Sequence, residues 1–70
     1  MNVEKQTKNS LIQLDNGSNY EVIEKIYIIR MLIESDMVND NTFITFHFPD
    51  GLECNIKKSK ISAFYEYEAD

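Results

Sequence analysis

The sequence predicts a mainly β domain: a small antiparallel meander or barrel of about five strands. Three observations carry that expectation. Thr42 to Lys57 reads as two strands joined at Pro49-Asp50-Gly51; β-branched residues crowd the stretch from Val22 to Ile33; and Ile61, Ala63, Tyr65 and Tyr67 alternate against Ser62, Glu66 and Glu68. The polar start, residues 1–9, is expected to be a flexible arm, leaving residues 10–70 as one small domain.

The first strand is short, Leu11 to Leu14. Asp15-Asn16-Gly17-Ser18 ends it with a strong turn signal, because Gly17 adopts a positive φ without strain. Residues 19–35 fit two templates. Alternation of Ile23, Tyr27, Ile29, Met31 and Ile33 against Glu24, Arg30 and Glu34, with the β-branched content, favours a long strand. The alternative is a helix packed on a small antiparallel sheet, an α+β arrangement, supported by Ser18 and Glu21 as a capping box. Asp36 to Asn41 then forms a polar connection short enough to join antiparallel neighbours.

The hairpin is the most legible stretch. Pro49 presets φ for the first turn position and Gly51 takes the left-handed conformation that closes a bulged hairpin. Counting outward pairs Phe48 with Leu52, His47 with Glu53, Phe46 with Cys54, Thr45 with Asn55, Ile44 with Ile56 and Phe43 with Lys57. One face is apolar and the other carries His47, Glu53, Thr45, Asn55 and Lys57. Lys58-Ser59-Lys60 breaks the pattern before the last strand. Phe64 falls on the polar side of that strand, so either a second surface covers it or the register shifts near Ser62. A short strand, a long one, a tight hairpin, an irregular break and a final strand follow the element order that SH3-like and Sm-like barrels show. From Leu11 to Tyr67 the chain resembles them in pattern.

A domain of about 60 residues buries only ~60% of its unfolded surface, so disulfides, metal or self-association often assist. Cys54 is the only cysteine, which removes an internal disulfide, favours a cytoplasmic setting and gives weight to self-association. The opening stretch lacks a signal-peptide pattern, and Ile26 to Ile33, interrupted by Arg30, is too short to span a bilayer. A net charge of −5 argues against gripping phosphate, since nucleic-acid affinity comes mainly from Lys and Arg. One basic island, Lys57, Lys58 and Lys60, stands near Phe43, Tyr65 and Tyr67, the makings of a weak single-strand binder.

The sequence offers little chemistry. His47 and Cys54, each the only one of its kind, point to opposite faces in the expected register, so no Cys–His dyad forms. His47 instead faces Glu53 as a cross-strand pair. No set of zinc ligands, calcium loop or phosphate cradle is present, so no catalytic residue, metal or cofactor is expected. The favoured function is a non-catalytic protein-binding module: an inhibitor or adaptor that presents Glu21, Glu24, Glu34, Asp36, Glu66 and Glu68, with Phe64, Tyr65 and Tyr67, to a partner with a basic surface, such as one that handles nucleic acid. Acidic anti-defence inhibitors carried by mobile elements have this general character. The alternatives are a homo-oligomeric structural or regulatory β-protein and a weak Sm-like or SH3-like nucleic-acid binder.

Overall fold

A computed structural model describes residues 8–68. The chain is mainly β, with five strands in two antiparallel sheets and one helix: β1 (Lys8–Leu14), β2 (Asn19–Val22), α1 (Ile26–Glu34), β3 (Phe43–His47), β4 (Glu53–Lys57) and β5 (Ile61–Glu68), the last preceded by a 3₁₀ turn over Lys58–Lys60. One sheet has the order β2-β1-β5 and the other is the β3-β4 hairpin. Of the arm expected over 1–9, residues 1–7 lie outside the described residues. Lys8 and Asn9 belong to β1, opposite Glu68 and Tyr67.

The hairpin has the expected register, from Phe43 opposite Lys57 to His47 opposite Glu53. Phe48 N–H donates to Leu52 O at 2.8 Å, and Gly51 closes the turn at φ +93°. The turn at Gly17 likewise has positive φ. In β5 the expected register shift is present. Gln13 pairs with Ala63 and Leu14 with Ile61, so Ser62 is the extra residue. Its hydroxyl donates to Gln13 O at 3.1 Å. The bulge lets Ile61 and Phe64 both pack on the core, and from there on Tyr65 and Tyr67 face away from it.

Residues 19–35 depart from the favoured long strand and from the uninterrupted helix alike. Asn19–Val22 pairs with β1, and the chain then turns into α1. Ile29 is buried, with Leu32 and Ile33 packed against the core beside it, the i, i+3, i+4 spacing of a helix face. Strand alternation would have placed Met31 with Ile29; the structure leaves Met31 exposed. No capping box forms, and the residue before the helix, Lys25, makes no side-chain cap. Packing therefore outweighs the weak strand preference of isoleucine, worth under ~1 kcal/mol per residue.

Ile12, Val22, Ile29, Ile44, Phe46 and Ile56 form the buried core, drawn from both sheets and the helix. Three polar ties flank this core. Ile23 N–H donates to His47 O at 2.9 Å, joining the end of β2 to β3. Buried Ser10 donates to Glu24 O at 2.7 Å. The Lys58 ammonium donates to Val38 O and, at 3.4 Å, to Ser35 O just past the helix C-terminus, where a cation is favourable.

Candidate functional site

The structure gives the acidic residues that the sequence groups together different surroundings. Glu24 is not free to meet a partner: its carboxylate turns inward onto β3 and its side chain is only 16% exposed. Glu21, half-buried, accepts a bond from buried Asn9 at 2.6 Å on the outer face of the β2-β1-β5 sheet. Glu34 and Asp36 are exposed at and beyond the end of α1. Phe64 packs against the core. At the end of β5, Tyr65, Glu66, Tyr67 and Glu68 are all exposed.

That end is an amphipathic strand at a sheet edge. Tyr65 stands opposite Leu11 and Tyr67 opposite Asn9, so both tyrosines share the outer face; Glu66 and Glu68, opposite Ser10 and Lys8, share the other. On its second edge β5 has no strand partner among the described residues. An edge strand of this kind can offer backbone hydrogen bonds to another chain.

Sequence reasoning pairs His47 with Glu53, but its main partner is Glu24. Glu24 Oε1 accepts the His47 backbone N–H at 3.0 Å and Oε2 lies 2.6 Å from Nδ1. Glu53 is a distant second, 3.9 Å from Nε2. The hydrogen bond from Glu24 raises the His47 pKa above 6.5, against a smaller opposing desolvation, and the charges of Glu24 and Glu53 add to the rise. On the apolar face, Cys54 packs against the core, and burial chiefly pushes its thiol pKa up. The two side chains thus face apart, as the register requires.

A groove of about 420 Å³ runs along β4, which no sequence argument anticipates. Leu14 and Tyr20 line it from the first hairpin; Phe43, Phe48, Cys54 and Ile56 line it from the second, and Lys57 and Lys60 border it. Tyr20 and Phe48 stand 6.1 Å apart between ring centres, and the Lys57 ammonium lies 5.8 Å from the Phe43 ring. Of the basic island, Lys57 and Lys60 therefore reach the groove, Lys60 with Asp15 at 3.7 Å, whereas Lys58 is used internally. Among the described residues no cluster of His, Cys, Asp and Glu assembles a metal site, and no helix is long and apolar enough to cross a membrane. No family model, curated protein or solved structure matches the chain.

Proposed function

We propose that this chain is a non-catalytic protein-binding module, an inhibitor or adaptor that docks the end of β5 against a partner with a basic surface. The observation that carries this reading is the run of four exposed residues, Tyr65 to Glu68, on an edge strand. Tyrosines supply contact area at low entropic cost, the glutamates supply charge, and the open edge offers main-chain hydrogen bonds. Cys54, His47 and Glu24 support a non-catalytic role: the first two face apart and the third is held by the second.

The test is capture by wild-type and E66Q/E68Q bait, followed by titration of the captured protein. Each exposed ion pair contributes up to ~1 kcal/mol, so the double variant is expected to bind about tenfold more weakly and with a flatter salt dependence. Equal affinity and equal salt dependence would contradict the proposal.

A further inference from the structure

β4 has a free edge as well as a groove. Phe48 and Leu52 are hydrogen-bonded across the turn, and alternation along an antiparallel ladder then directs the backbone of Cys54 and Ile56 towards β3 and that of Glu53, Asn55 and Lys57 outward. Among the described residues no strand pairs with that outer edge. The strand is also two-sided: Cys54 and Ile56 belong to its apolar face, Asn55 and Lys57 to its polar one, and all four line the groove along the edge.

An incoming strand that fits this edge is apolar or aromatic on one face, acidic on the other and free along one edge. The end of β5 has all three properties. We infer that the β4 groove takes the Tyr65–Glu68 segment of a second copy of this chain, added as a strand beside β4, with the tyrosines over Ile56 and Leu14 and the glutamates towards Lys57 and Lys60. Charge complementarity selects this occupant. In an acidic chain, Lys57, together with Lys60 beside Asp15 at 3.7 Å, supplies the positive charge at the groove, and a register that sets Glu66 and Glu68 towards these lysines keeps both away from Glu53.

The contact is heterologous: each copy offers a groove and a strand, so each joined pair still exposes one of each. Association is therefore weak, concentration-dependent and open-ended or ring-forming. It uses the strand assigned to the partner above, and copies joined this way hide the surface that the partner would meet. It needs no partner, however, so it is tested on purified protein alone and stands or falls separately from the proposed function.

The experiment is sedimentation velocity at low salt from about 10 µM to about 1 mM, a range suited to small, transient contacts. Wild type is expected to sediment faster as concentration rises and to lose that dependence in about 0.5 M salt, where charges are screened within a few ångströms. K57E/K60E and E66K/E68K are each expected to remain monomeric, and an equimolar mixture to recover association, since each then supplies what the other lacks. All four substitutions lie on polar surface; circular dichroism checks the fold, and E66Q/E68Q serves as a milder second variant, expected to shift association to at least several-fold higher concentration. A wild type that is monomeric throughout, charge-reversed variants that associate like wild type, or a mixture that stays monomeric would each overturn the inference.

Discussion

At the scale of single residues, the pair Glu24 and His47 ties the connection between β2 and α1 to β3. One carboxylate binds both the imidazole and the main-chain N–H of the same residue, and the Glu24 carbonyl is held by buried Ser10. Because the folded state raises the His47 pKa above 6.5, stability from its protonation is fully present below 6.5 and is lost as pH rises through the folded value. E24Q keeps an acceptor for the backbone N–H but removes the charge. The imidazole protons followed by NMR are expected to titrate lower in this variant than in wild type, and its thermal midpoint is expected to change less than that of wild type as pH rises above 6.5. An unchanged titration would show that Glu24 does not hold the proton on His47.

At the scale of elements, the 3₁₀ turn is tied to the connection that follows α1. Besides the Lys58 ammonium, Lys58 N–H donates to Thr42 O at 2.9 Å and Ser59 N–H to Asp40 O at 3.0 Å. K58M keeps the stem and removes the ammonium, leaving carbonyls beyond the helix with fewer donors. A cost of ~1–2 kcal/mol is expected, seen as a fall of roughly 4–16 °C in melting midpoint and faster amide exchange at Lys58 and Ser59 in K58M. The difference between the hairpin and the helix shows what the sequence makes legible. Pro49, Asp50 and Gly51 specify their own register locally, so six pairs follow by counting. At α1 two periods compete, because Ile29 and Ile33 share a face in both a strand and a helix. The choice rests on the core that Ile29 joins, whose other members, among them Ile12 and Phe46, come from strands distant in sequence. Glu24 and His47, 23 residues apart, and the groove, joining Leu14 and Tyr20 to Phe43 and Ile56, were illegible for the same reason. The exposed end of β5, by contrast, was visible as a plain alternation of tyrosine and glutamate.

At the scale of the whole molecule, sign of charge and open edges decide what the chain meets. Glu24 and Glu21 serve the fold, and Glu66 and Glu68 stand exposed on the same strand as Tyr65 and Tyr67. The most direct test is to replace Tyr67 with a photocrosslinking phenylalanine analogue and to irradiate the protein in extract, with the same analogue at Met37, which is 93% exposed, as the control for mere accessibility. The expected result is a discrete covalent adduct to a basic protein from position 67 and none from position 37. No adduct to another protein from position 67, or the same adducts from both positions, would contradict a binding strand at the end of β5.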